Sequence, residues 1–310
     1  MRNTCLVSLL LLVGCVGDSP VVSGTDSGTD SGTSSNTDSS TPNDASPTSD
    51  ASAEAGADAS VSISPTTLDS QDMLALWLEA APQNYTTING IVHTWLDRSK
   101  NHNDAASAGT TYPAIVNGAI NGHGALSFPD NATWLTIPDA ASLQFGTDDY
   151  LVVAVANPAT GGAYFFSKAL YNNCGSSGCH YNVGLELFAM SSTLADGGTS
   201  LFPATNLDQT DKEYWGDPAF DGSFHVVASR RHGSNLFVYF DAQTPRSQGV
   251  NTVDVSLAQT AVTLGFVSQG TFHPPVSMEM SELIAVHKGP TLDDATVNGV
   301  LSYLRAKYNL

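Results

Sequence analysis

Short apolar and aromatic runs separated by Gly, Asn, Asp and Pro set the rhythm of the chain from residue 65 onward, at 91–96, 125–128, 134–137, 150–156, 163–168, 181–189, 224–229, 236–240, 261–267 and 276–287. Runs of this length, rich in Val, Ile, Phe, Tyr and Trp and bounded by turn residues, predict the strands of an all-β sandwich. Segment 74–78 is ambiguous. Leu74, Leu76 and Leu78 alternate as in a strand, while Leu74, Trp77, Leu78 and Ala81 also fit one helical face. The C-terminal pattern is helical: Thr291 and Asp294 form a capping-box-like start, and Val297, Val300, Leu301, Leu304 and Tyr308 share one face. Arg305 and Lys307 suit the last turn of such a helix, near the negative end of its dipole.

The pattern stops upstream. Residues 16–64 are mostly Ser, Thr, Asp, Gly, Ala and Pro, with the tandem units Ser23-Gly24-Thr25-Asp26 and Ser27-Gly28-Thr29-Asp30, no aromatic residue and no Lys or Arg. Such a stretch buries too little apolar area to offset its ordering entropy, so it is expected to be a solvated linker with a span of about 40 Å. The spacing of Asp26 and Asp30 leaves a calcium ion short of its oxygen ligands.

Ahead of the linker, Arg2 precedes an apolar run at 6–13, far shorter than the roughly 20 residues a membrane-spanning helix needs. Leu12-Val13-Gly14-Cys15 resembles the lipobox of bacterial lipoproteins. That resemblance implies cleavage after residue 14 and acylation of Cys15, and Val16 is not the aspartate that resembles an inner-membrane retention signal. The expected organisation is a signal peptide at 1–14, a lipidated linker at 15–64 and a folded domain at 65–310, anchored at the outer membrane or cell surface. The formal charge of −19, from 11 Lys and Arg against 30 Asp and Glu, argues against nucleic acid as a partner. Part of that charge lies in the linker.

Within the folded region, Thr94-Trp95-Leu96-Asp97-Arg98-Ser99-Lys100-Asn101-His102-Asn103-Asp104-Ala105, Pro113 and Asn117-Gly118-Ala119-Ile120-Asn121-Gly122-His123-Gly124-Ala125-Leu126-Ser127-Phe128 resemble the opening of laminin-G-like jelly rolls. These belong to the concanavalin A-like lectin/glucanase superfamily. Met280-Ser281-Glu282-Leu283-Ile284-Ala285-Val286 and Tyr303-Leu304-Arg305-Ala306-Lys307-Tyr308 resemble its ending. The resemblance implies a jelly-roll β-sandwich closed by a C-terminal helix. It implies no single activity, since this fold hosts binders, adhesins and hydrolases.

Catalytic signals are sparse. The resembling glucanases place carboxylates at alternate positions of one strand, whereas Glu279 and Glu282 differ by three and fall on opposite faces unless a bulge intervenes. A glycosidase pair needs carboxyl groups about 5–5.5 Å or 6.5–9.5 Å apart. Glu186 stands alone in sequence, a partner from another strand staying open, and there is no Gly-x-Ser-x-Gly elbow. Asp97, Ser99, Asn101 and Asn103 alternate like a calcium loop, but His102 and Ala108 occupy the positions where Gly and Glu are needed. An Asx-type turn is the expected reading of that loop, with no resident cofactor; a calcium site assembled from separate loops is the alternative. The eight histidines show no ligand spacing.

Cys174 and Cys179 flank a turn-forming loop in a chain read as exported, which predicts a local disulfide worth about 2 kcal/mol. Two loops offer aromatic rings beside hydrogen-bonding groups, as sugar binding requires: Tyr214, Trp215 and Asp217 in one, Tyr171 and Asn173 in the other. The alternative for Tyr214 and Trp215 is folding back over the core. Trp77, Trp95 and Trp134 sit in strand-like runs and are expected in the core. The resulting expectation is a lipid-anchored, non-catalytic recognition module for polysaccharide or glycosylated partners. A glycoside hydrolase or lyase and a structural envelope protein are the alternatives.

Overall fold

A computed structural model describes residues 61–160, 162–173, 180–193, 199–207, 212–214, 220–249, 253–266, 277–287 and 292–310. In chain order come α1 (Pro65–Ser70), β1 (Leu74–Glu79), β2 (Tyr85–Ile88), β3 (Ile91–Trp95), β4 (Ala105–Ser107), β5 (Ala114–Ile120), β6 (His123–Phe128) and β7 (Leu135–Ile137). There follow β8 (Tyr150–Thr160), β9 (Ala163–Asn173), β10 (His180–Thr193), β11 (Thr199–Asn206), β12 (Lys212–Tyr214) and β13 (His225–His232). Last are β14 (Asn235–Phe240), β15 (Arg246–Gly249), β16 (Val262–Leu264), β17 (Ser277–His287) and α2 (Asp294–Tyr308). The ambiguous segment 74–78 is therefore a strand, paired antiparallel with β17.

The ladders resolve into two antiparallel sheets. Sheet one runs β2-β3-β4-β7-β16-β9-β10-β11-β12. Sheet two runs β5-β6-β17-β8-β13-β14-β15, with β1 beside β6 on the same edge of β17. The pair Ile91 with Ala114 and the bridge between Leu78 and Asp97 join their margins. The mostly antiparallel sandwich predicted from the apolar rhythm is what forms.

Strand β8 shows why its sequence lacks alternation. Tyr150, Val152, Ala154 and Ala156 point into the core between the sheets, where they meet Leu126, Phe128, Phe166 and Leu187. Leu151, Val153 and Val155 point the other way, into a second core under α2. A strand covered on both faces has no polar positions to offer, so its hydrophobic run is continuous. Helix α2 closes this second layer with Val297, Val300, Leu301, Leu304 and Tyr308, all buried. Each such side chain contributes about 1.5–3 kcal/mol on burial. Its N-cap is Asp293, whose side chain accepts from the Thr296 amide at 2.8 Å. The expected cap at Thr291 is thus displaced to the carboxylate two residues on; Thr291 itself lies outside the described residues. The chain enters across this helix: the Ile63 amide donates to the Gly299 carbonyl at 3.0 Å. A Cβ on Gly299 would lie 2.6 Å from Ile63 Cγ1, so the close crossing requires glycine.

A polar lock fixes α2 to sheet two. Ser281 interrupts the β17 register with β8, and the bulge inverts the alternation along the strand. Met278 and Met280 before it, and Leu283 and Ala285 after it, all face the inter-sheet core. Glu279 and Glu282 consequently share the outer face, the exception that the odd spacing allowed. Glu282 is 0 % exposed. Its Oε1 accepts from Trp77 Nε1 at 2.7 Å, and its Oε2 accepts from Lys307 Nζ at 2.7 Å and Tyr308 OH at 2.8 Å. Lys307 also donates to Glu79 Oε1 at 2.6 Å, and Glu79 Oε2 accepts from Arg98 and from Asn84. Two carboxylates thus face two cations in one connected set.

Burial raises the Glu282 pKa against the pull of Lys307 and Tyr308. For Glu79 burial also raises, but Lys307 and Arg98 outweigh it and the pKa falls. Removing one member of a buried charged set strands the others. Glu282→Ala is expected to lose about 3–5 kcal/mol of stability, measured by urea unfolding, with Trp77 and Tyr308 left without their acceptor and Lys307 keeping only Glu79.

Candidate functional site

Because α2 covers the outer face of sheet two, the outer face of sheet one is the broad strand surface left uncovered by a helix among the described residues. The cross-strand register sorts its side chains into rows. One row is hydroxyl-rich: Thr86, Thr94, Ala106, Thr136, Thr263, Ser167, Glu186 and Asn206 follow one another across eight strands. Ser167 Oγ donates to Glu186 Oε1 at 3.1 Å, and Thr263 Oγ1 donates to the Phe266 carbonyl at 2.6 Å. Ser167, Glu186 and Thr263 are buried, Thr94 and Thr136 half-buried and Thr86 exposed, so the accessible hydroxyls of the row lie on β2, β3 and β7.

The neighbouring row is aromatic. Tyr164 is paired with Phe188, and their rings stack with centroids 5.3 Å apart. Trp134, just before β7, stacks on Phe266 at 4.8 Å. His93 packs against Tyr112 at 4.8 Å. A register shift opposite Thr86 and Thr87 places His93 beyond the regular alternation of β3. All six rings are half-buried or exposed, Tyr112 reaching 41 %. Trp134 was expected in the core alongside Trp77 and Trp95. Those two are buried, but Trp134 precedes core-facing Leu135 and so takes the opposite side of the strand.

The register places Tyr214 opposite Ala204, which itself pairs with Phe188. Tyr171 and Asn173 lie at the far end of β9, opposite Asn182 and His180. Trp215, Asp217, Cys174, Cys179 and Cys15 lie outside the described residues. Sequence reading missed Tyr164, Phe188 and the ring partners of Trp134, because a row is assembled across strands. The only signal along one strand was the alternate spacing of Glu186 and Phe188.

The loop at 97–104 forms an Asx-type turn. Asp97 Oδ1 accepts from the amides of Trp77 and Ser99, both at 2.9 Å, and Oδ2 from the Asn103 amide and the Ser99 hydroxyl, both at 2.7 Å. Both oxygens are engaged by the fold. Among the described residues no cluster of three or more His, Cys, Asp or Glu is arranged to hold a metal.

A Ser-His-Asp arrangement exists elsewhere. His225 Nδ1 lies 2.8 Å from Asp241 Oδ2, and Nε2 lies 3.3 Å from Ser223 Oγ. Asp221 Oδ1 intrudes, 3.0 Å from Nε2, and accepts the Ser223 hydroxyl at 2.6 Å. The serine proton is thus directed to a carboxylate and not to the imidazole, and the constellation clamps the ring between two acids. The ring stacks on Phe240 at 4.6 Å.

No protein-family model matches this chain, and no curated protein matches it in sequence. Solved structures share its fold. An arabinofuranosidase complexed with arabinofuranosyl-α-1,2-xylobiose superposes with a TM-score of 0.58 at 13 % identity, over 79 % of this chain and 65 % of that one. A GH54 α-L-arabinofuranosidase soaked with a cyclic sulfate inhibitor gives 0.55 at 14 %, over 79 % and 66 %. A botulinum neurotoxin type C structure, described for its interaction with two ganglioside molecules, gives 0.50 at 11 %, over 78 % and 53 %. The chain therefore spans about two thirds of the length of the enzymes and about half that of the toxin chain. At these identities the likeness is one of fold.

Burial lowers the His225 pKa, but the hydrogen bonds and charges of Asp241 and Asp221 outweigh it and the net shift is upward. A raised folded-state value means the clamp stabilises fully below the unfolded pKa of about 6.5 and is lost as pH rises through the folded value. Urea unfolding at a series of pH values should show this loss above about pH 6.5 in the native chain, and His225→Gln should flatten it.

Proposed function

We propose that the chain is an exported, lipid-tethered carbohydrate-recognition module of laminin-G-like build, held at the outer membrane or cell surface through Cys15. Residues 16–64 display it, and the outer face of sheet one is its binding surface. The observation that carries this reading is the aromatic row lying beside the hydroxyl row. Sugar rings expose apolar C–H faces that stack on aromatic rings, while their hydroxyls need donors and acceptors alongside. The sugar-related neighbours supply probes for the test and no assignment.

Glu186 favours a second reading. A carboxylate held at 1 % exposure within a hydroxyl row is the kind of group a glycoside hydrolase uses as an acid. Among the described residues no second carboxylate occupies that row. Hydrolysis predicts reducing ends released from an arabinoxylan or xylan panel and abolished by Glu186→Gln. Recognition without catalysis predicts no release in either protein.

Affinity electrophoresis through polysaccharide gels should retard the native chain, and Trp134→Ala should weaken that retardation about tenfold while far-UV circular dichroism stays unchanged. Equal retardation of both would remove the aromatic row from the reading. Cys15→Ser should move the protein from the membrane to the soluble fraction, whereas membrane association unaffected by the substitution would overturn lipid tethering.

A further inference from the structure

The polar set around Glu282 holds the parts of a condensation reaction. Lys307 Nζ is a nitrogen nucleophile 2.7 Å from Glu282 Oε2, so the carboxyl carbon is the next atom along. Trp77 Nε1 donates to Oε1 at 2.7 Å and Tyr308 OH to Oε2 at 2.8 Å, which puts a neutral donor on each carboxyl oxygen. Glu79 Oε1 accepts from the same Lys307 nitrogen at 2.6 Å. The Tyr303 and Tyr308 rings flank that nitrogen, with centroids 5.6 and 5.2 Å away. Trp77, Glu282 and Tyr308 are all buried, which leaves little room for water at the reacting atoms.

The two carboxylates differ in the way such chemistry requires. Burial pushes Glu282 up, toward the neutral acid that an amine can attack. Burial raises Glu79 too, but Lys307 and Arg98 outweigh it, and Glu79 stays an ionised base. Environments that split two like groups in this way mark out acid and base roles. Burial opposes the charge on Lys307, but Glu282 and Glu79 outweigh it and its pKa rises. The amine is therefore freed only by passing a proton to the carboxyl it touches, which neutralises Glu282 in the same step.

We propose that Lys307 and Glu282 form an intramolecular isopeptide bond that fastens α2 covalently to β17. After the proton transfer the Nζ lone pair adds to Cδ, and the charge that builds on Oε1 is held by the Trp77 N–H. Glu79 takes a proton from Nζ and hands it to the Oε2 hydroxyl, which Tyr308 holds as the leaving oxygen. The Cδ–Oε2 bond breaks, water departs, an Nζ–Cδ amide remains, and Glu79 is again a carboxylate. No oxidant, reductant or co-reactant enters the balance. Well-oriented groups within one molecule reach effective concentrations of about 10⁵–10⁸ M, which favours condensation, and a buried site readmits little water to reverse it. The ion pair is the arrangement that precedes the bond.

Peptide mapping of the purified full chain tests this by mass spectrometry. Trypsin cuts after Lys and Arg, so Glu282 falls in peptide 247–288, and Lys307 is itself a cleavage point. The bond is expected to block that cut and to yield 247–288 joined to 306–310 as one branched species, one water lighter than the two peptides together. Lys307→Arg should abolish the branched species. Glu79→Gln keeps the side-chain volume and removes the base, so the bonded fraction of a fresh preparation should fall about tenfold or more. A native chain that gives peptide 247–288 at full mass, with cleavage after Lys307, would overturn the proposal. A branch carried by the peptide ending at Arg98 would overturn the choice of Glu282, and undiminished bonding in Glu79→Gln would overturn the role of the base.

Discussion

The buried carboxylate of Glu282 decides how the layers of this protein are arranged. A charged oxygen pair at 0 % exposure is tolerable only when its acceptor capacity is filled, and here Trp77, Lys307 and Tyr308 fill it from a strand and a helix. Satisfying that one group brings β1, β17 and α2 to a single point. Arg98 and Asn84 extend the set through Glu79 to the turn after β3 and the turn before β2. With α2 held there, sheet two is covered on both faces, and among the described residues sheet one keeps a face without a helix. The location of the ring row follows from an ionic constraint on the opposite side of the sandwich.

Much of the fold was legible because burial imposes a period on the sequence. The run 150–156 marked a strand, which the structure covers on both faces, and the apolar face from Val297 to Tyr308 marked the closing helix. Segment 74–78 was not legible, because its partner is the distant strand β17 and five residues fit either period. The bulge at Ser281 left no local trace either. It reversed the expected facing of Glu279 and Glu282, since the extra residue is accommodated against β8 and nothing in the strand's own composition demands it.

The site was less legible than the fold for a related reason. Attention to aromatic residues in loops singled out Tyr214, Trp215 and Tyr171, none of which is among the rings seen to pair across the described strands. Trp134, Tyr164 and Phe188 are separated by long stretches of sequence and meet only because β7, β16, β9 and β10 lie side by side. Cross-strand neighbours are the unit of sheet organisation, and they are invisible until the strand order is known. Asp97 shows the converse case: its turn is built from residues within one short segment, and local pattern sufficed.

The crossing of Ile63 over Gly299 gives the domain a mechanical polarity. Tension arriving along the chain from residues before 61 enters at that crossing, through the hydrogen bond to the Gly299 carbonyl, and passes into α2 and then into the Glu282 set. Those elements bear the load where Glu282 and Tyr308 are buried. Sheet one lies on the far side of the inter-sheet core, outside the line of force. Force applied at the N-terminal end of the described domain would strain its helix before it reached the ring row.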